Sequence, residues 1–387
     1  MTRTKHRGLI SGTLRRAASL AQRLAVVLVL GVVSTQPVNA RTYKETALHT
    51  FTGLGRDGAF PLGPATTLLQ DGNGNLYGTT SDGGAWDGGT VFRIDKTGKQ
   101  TVLHSFNRFT NDGQVPAGGL VMDSVGNLYG ATQYGGVYGK GTVFKLQATG
   151  KGYKETLFHS FAGGANDGAD PLTGLIQDSE GNLYGATFNG GTCGAGGNGV
   201  LFKLDNTGQL TVIYNIGCNP DEGTQVEGVT RDSQGNFYLA SETGGPSQYL
   251  NNCIKSNYLP NFGCGTLAKI DPSGTETLLH VFTGVDGDGG SPMGAVILDA
   301  TGNIYGSTLL GGSGLCQPPD SSTSGCGTVF KIDTAGSYSV IYSFPGEGAQ
   351  GAAPIGGLLV DRAGNLYGAT EDLSLIHISE PTRQAEI

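Results

Sequence analysis

Six copies of one tetrapeptide, G-N-[LFI]-Y, are spread along this chain, with their asparagines at Asn75, Asn127, Asn182, Asn236, Asn303 and Asn365. Successive copies lie 52, 55, 54, 67 and 62 residues apart. A chain that repeats at such an interval is an array of like units, each too small to bury its apolar faces without its neighbours. The unit is fullest at residues 118–161, where four runs follow one another: G-G-L-x-x-D, N-L-Y-G-A-T, G-T-V-F-K-L and E-T-L-F-H-S-F. Each is short, carries β-branched or aromatic residues, and is bounded by Gly, Asp or Asn, which is strand chemistry. We call the four runs A to D.

All four runs recur in order at 64–106, 118–161, 174–216, 227–282 and 294–344, and a sixth A and B lie at 357–370. Residues 43–51, YKETALHTF, match a D run that has no A, B or C before it. The pattern predicts an all-β fold, a six-bladed β-propeller with four-stranded blades. In it the N-terminal outer strand completes the last blade, so that no sheet edge is left unpaired. Glycine, at 68 of 387 residues, is well above the usual ~7%. There is no three-residue period to suggest collagen, and the apolar runs between the glycines argue against disorder. The turns explain much of the excess. Asp71, Asp123, Asp178, Asp232, Asp299 and Asp361 each precede a Gly-Asn pair between A and B, where Asp bonds the turn backbone and Gly takes φ > 0. Tyr77, Tyr129, Tyr184, Tyr238, Tyr305 and Tyr367 on B, with Phe92, Phe144, Phe202 and Phe330 on C, are expected to pack between neighbouring sheets.

The ends differ from the array. Residues 1–40 hold a basic stretch (Arg3 to Arg23), an apolar run from Leu24 to Val33, and Val38-Asn39-Ala40. This is signal-peptide grammar, with cleavage expected after Ala40; the apolar run falls short of the ~20 residues that span a bilayer. Six of the 24 basic residues and none of the 32 acidic ones lie in this leader. Its removal leaves 18 against 32, a formal charge of −14. So acidic a protein repels phosphate backbones and anionic lipid heads, which excludes nucleic acid as the expected partner. At the other end, residues 371–387 carry none of the repeat's residues. The run SLIHISEPTR reads like translated adapter sequence, so the tail from about Leu373 is expected to be non-native. On that reading the closing C strand and any C-terminal anchor are missing.

The repeat D-G-x-x-P-x-x-G-L, D-x-x-G-N-L-Y-G-A-T, G-G, G-T-V-F-K-L resembles the GloVer tandem repeat of "choice-of-anchor" bacterial surface proteins over residues 43–370. More distantly, D-x-x-G-N-[LI]-Y resembles that of NHL-type and SMP-30-like propellers. The first resemblance implies an exported bacterial protein held at the cell surface, and implies no ligand or activity.

Antiparallel strands alternate ends, so the B–C and D–A loops share one face of such a disc, and the long loops all lie there. So do the six cysteines. An exported chain with an even count favours disulfides, and the loops suggest Cys193–Cys218, Cys253–Cys264 and Cys316–Cys326. The D–A loops carry Asp57, Asp112, Asp167, Asp221 and Asp288, each four residues before the Pro or its equivalent, with Gln350 in the sixth place. They are either oxygen ligands for calcium or a polar rim around the channel mouth, or else caps for their own turns. We favour caps, because one carboxylate per loop is not a clustered ligand set. Trp86, Tyr134, Tyr138 and Phe188 sit in B–C loops, where exposed rings stack on sugars or anchor a protein. His49, His104, His159 and His280 share one repeat position on outermost strands and cannot converge, so no catalytic residue is assigned.

The expectation is therefore a secreted or cell-surface binding module, non-catalytic, whose partner is a polysaccharide or a cell-surface protein. Membrane contact would come only through the leader or a missing anchor. The rival readings are an enzyme at the axial channel, such as a metal-dependent lactonase or hydrolase of SMP-30 type, and a purely structural repeat.

Overall fold

The computed structural model describes residues 25–27, 47–53, 57–61, 67–150, 152–194, 197–219, 221–246, 263–314, 325–346, 351–361, 364–372 and 375–378. These residues form strands and turns and no α-helix. Five sheets run A-B-C-D in chain order, all antiparallel. In the second the strands are Gly113–Met122, Leu128–Gly135, Thr142–Thr149 and Gly152–Ser160. A sixth sheet has three strands, Ala352–Val360, Leu366–Asp372 and Leu375–Ile378. One residue from each A strand (Thr67, Gly119, Gly174, Gly228, Ala295 and Gly357) lines a single cavity. The six sheets therefore stand around one axis, and the fold is a β-propeller. At the axis the backbones nearly touch: a Cβ on Gly228 would collide with the backbone of Gly294 and Ala295 in the next sheet, which is why small residues are required there.

The core lies between sheets. One cluster joins Tyr77, Val91 and Phe106 of the first sheet to Leu120, Leu128, Phe144 and Leu146 of the second, and each later seam repeats it. A Phe at or just after the end of a D strand meets a C-strand Phe of the next sheet: Phe106–Phe144 at 5.0 Å, Phe161–Phe202 and Phe282–Phe330 at 5.2 Å. The Gly of N-L-Y-G-A-T exists for that C-strand ring. Gly130 pairs with Phe144, and a Cβ there would strike the ring edge. The fourth sheet inverts the arrangement: Leu239 replaces the Gly, and its partner across the ladder is Ala268. Ile216, from the preceding sheet, packs in the same cluster as Leu239. Exchanging a large and a small side chain across the pair conserves volume.

Both ends correct the expectation from sequence. The opening strand, Ala47–Thr50, makes its ladder with Ala25–Val27 inside the leader, not with the sixth sheet, so it does not supply the outer strand of that blade. The leader partner is closer along the chain by some 300 residues, and loop-closure entropy favours the nearer one. The packing side of the segment does follow the repeat: Phe51 meets Phe92 at 4.9 Å, as each later Phe meets its neighbour. In the sixth sheet the third place is taken by Leu375–Ile378 from the non-repeat tail. Its register, Tyr367↔His377 and Gly368↔Ile376, is that of the C strands, as in Tyr129↔Lys145 and Gly130↔Phe144.

Candidate functional site

The repeating aspartates are consumed by turns. Asp178 accepts from the amides of Glu180 and Asn182 through Oδ1, and from Asn182 Nδ2 and the Tyr184 hydroxyl through Oδ2 (2.8–3.0 Å). The other A–B aspartates, from Asp71 to Asp361, bind the same Asn and Tyr positions. The signature tyrosines thus pack in the seams, as expected, and also tie their turns. Burial alone would raise Asp299, but hydrogen bonds from Asn303 and Thr301 outweigh it and hold its carboxyl down at about 2.

The D–A aspartates act alike. Asp112 accepts from the amides of Asn107 and Gly113, and Asp167 from those of Ala162 and Gly168. Asp57 takes Thr52 and Gly58, and Asp288 takes Thr283 and Gly289. Each also faces the histidine of the preceding D strand: His104–Asp112 and His280–Asp288 at 3.2 Å, His159–Asp167 at 3.3 Å, His49–Asp57 at 3.6 Å. Asp221 does not belong to this set. Its place is taken by Glu222, which accepts from Cys218 N at 2.6 Å and from the Tyr214 hydroxyl at 2.8 Å. Counting back from the proline position misassigns it, because the A strand of this unit is one residue shorter between its glycine and its turn aspartate. Tyr214 with Glu222 thus replaces His with Asp. Gln350 lies outside the described residues, and among those described no three His, Cys, Asp or Glu side chains gather as a metal site.

Cys193 and Cys218 are disulfide-bonded, with 4.8 Å between Cα atoms. This ties the third B–C loop to the adjoining D–A loop. Cys264 and Cys326 are buried and disulfide-bonded; Cys253 and Cys316, expected to be their partners, lie outside the described residues.

Of the B–C aromatics, Trp86, Tyr134 and Tyr138 are exposed, and Phe188 is half-buried. Three further residues join the exposed set, Phe60, Phe109 and Val137; all six are between 45 and 77% exposed, and they lie in loops at the B–C face of the first two units except Tyr134, which is near the end of the strand Leu128–Gly135. Polar contacts connect the neighbourhoods of Trp86, Phe109 and Tyr134. Asp87, next to Trp86, holds Arg108 at 2.6 Å. The Arg108 guanidinium lies 5.5 Å from the Phe109 ring centroid, and Gln114, paired with Tyr134, donates to the Arg108 carbonyl. Ser81 donates from its amide to Phe60 O. Beside it burial, then the charge of Asp87, raise the carboxyl of Asp82. The site is thus a run of exposed rings with Asp82, Asp87, Arg108 and Gln114 among them. Sequence reading found three of the rings. Phe60 and Phe109 were signalled only as large apolar residues inside polar D–A loops.

The axial cavity, about 120 Å³, has one ionisable side chain in its wall among the described residues, Glu227. It is 4% exposed, and burial, then the charge of Glu242, push its carboxyl up to about 7.

Comparison with curated proteins found no match. Among solved structures, virginiamycin B lyase from Staphylococcus aureus is 13% identical, covering 80% of this chain and 92% of that one, with a TM-score of 0.44. A protein provisionally assigned as a gluconolactonase is 12% identical, covering 75% and 83%, with a TM-score of 0.38. A family profile, the Gloeobacter/Verrucomicrobia repeat, matches residues 30–252, more than half of the chain. With its six-fold G-N-[LFI]-Y repeat and its sheets around one axis, the chain belongs to the Gloeobacter/Verrucomicrobia repeat family.

Proposed function

We propose that this chain is an exported, non-catalytic binding module whose ligand is a polysaccharide, held across the exposed rings of the first two units. The observation that carries this reading is the group of Phe60, Trp86, Phe109, Tyr134, Val137 and Tyr138 on one face. Such an apolar surface is unusual on a soluble domain unless it binds something. Flat rings interspersed with carboxylate, guanidinium and amide groups suit sugar rings, whose C–H faces stack while their hydroxyls hydrogen-bond. The formal charge of −8, and −14 without the leader, favours a neutral glycan over an anionic one. The disulfide between Cys193 and Cys218 fits an oxidising compartment outside the cytoplasm.

The test is retention on neutral polysaccharides, on an array and by affinity electrophoresis, with Trp86→Ala and Phe109→Ala beside the wild type. Losing one stacked ring is worth roughly 1–1.5 kcal/mol, about tenfold in Kd. Retention unaltered by both substitutions, or none on any neutral glycan, would refute the reading. Capture of a surface protein instead, lost in the same variants, would move the proposal to a protein partner.

A further inference from the structure

The axial cavity presents a chemical problem independent of the loop face. Glu227 Oε2 is buried and has no hydrogen-bond partner among the described residues. An ionised carboxylate in that position is costly unless it takes up a proton or something outside the chain meets it. Among the described residues no Lys, Arg or His lines the cavity. The nearest ionisable influence is Glu242, another carboxyl, on the paired strand one residue beyond Ser241. The side chain is also placed by a local device. Where the other A strands have Thr66, Gly118, Thr173, Gly294 and Gly356 at this count from the turn aspartate, the fourth has Glu227. The ladder slips by one residue between Val226 and Gly228, and such a bulge re-aims the side chain at its centre.

Glycine occupies four of the six axial places, which leaves peptide groups uncovered there, beside the side chains of Thr67, Leu120, Leu175, Val229 and Ala295. Peptide oxygens and one or two carboxylates are the donor set of a hard cation, which keeps part of its water shell when protein ligands are few. About 120 Å³ accommodates an ion with several waters. Glu227 in the wall, with the charge of Glu242 acting on it, favours a divalent over a monovalent cation.

We infer that the axial cavity binds a hydrated divalent cation, of the calcium class, through Glu227, with Glu242 contributing charge. The ion sits on the axis, against peptide groups of all six sheets, and fastens them at their closest approach. This role is structural and needs no chemistry at the ion.

Calorimetric titration of the full chain with calcium chloride, in chelator-treated buffer, tests the inference. The expected result is one calcium per chain at pH 8, binding at least tenfold weaker in Glu227→Gln and weaker in Glu242→Gln, with a calcium-dependent rise in melting temperature that Glu227→Gln abolishes. Equal binding by wild type and Glu227→Gln, or none by the wild type, overturns it. If Glu227→Gln does not fold, the wild type decides alone. Trp86→Ala leaves this site intact, so failure here and failure of the glycan reading are separable.

Discussion

Replacing Asp299 with Asn removes one charge and one acceptor and leaves the side-chain shape intact. In the folded chain Oδ1 accepts from the Thr301 amide and hydroxyl and the Asn303 amide (2.7–2.9 Å). Oδ2 accepts from Asn303 Nδ2 at 2.8 Å and from the Tyr305 hydroxyl at 3.2 Å. Asparagine can keep the first set, but its Nδ2 would face two donors. Two bonds to a charged acceptor are lost, worth about 1.5–3 kcal/mol each where fully shielded from water. The carboxyl falls from its ordinary 3.8 to about 2, which at about 1.4 kcal/mol per pH unit caps the effect near ~2.5 kcal/mol. The turn is solvent-facing, and screening reduces that further. The expected cost at pH 6 is about 1–2 kcal/mol, read as a shift in urea midpoint at unchanged slope. The sign with pH is fixed. A carboxyl with a depressed folded pKa contributes stability that is fully present above 3.8 and is lost as pH falls through about 2. The gap between wild type and Asp299→Asn should therefore close towards pH 2. A cost below about 0.5 kcal/mol at pH 6, or a gap that ignores pH, would refute the account of these turns.

Two further outcomes follow from the seams. Ala268→Phe alone should overpack the fourth sheet and cost about 1–3 kcal/mol, whereas adding Leu239→Gly, which restores the arrangement of Gly130 with Phe144, should recover at least half of it; a double-mutant cycle with no coupling would contradict the exchange. Glu276 is pushed up to about 7 by burial and then by its bond to Glu222 and that neighbour's charge. A raised folded pKa contributes stability that is full below 4.5 and lost as pH rises through about 7. Glu276→Gln should therefore melt lower than wild type at pH 5 relative to pH 8, and a pH-independent difference would count against a shared proton.

Local geometry was legible in the chain because it is set within a few residues. The Asp of D-x-x-G-N-x-Y reaches positions two, four and six ahead, as in Asp178 with Glu180, Asn182 and Tyr184, so spacing alone dictates the turn. Cys193 with Cys218 was legible because both loops issue from one end of adjacent strands. Asp221 was misread because one missing residue in an A strand shifts every position counted across it, and Glu222 caps the turn instead. The ladder of Ala47–Thr50 is a choice between distant partners with similar patterns, which periodicity cannot rank. Glu227 was invisible for a related reason. Its surroundings come from six strands spread over some 290 residues, and burial without a partner is a property of their assembly.

Ile216 shows how far the units are interchangeable. It stands where Phe106, Phe161 and Phe282 stand in other seams, and it packs in the cluster that holds Leu239. A unit of this array is therefore not a free-standing module in an evolutionary or engineering sense. The fourth could be duplicated or moved only if the closing residue of its predecessor travelled with it, so the natural cut point for shuffling falls at the end of a D strand, ahead of that residue, rather than further along the loop that separates two repeats.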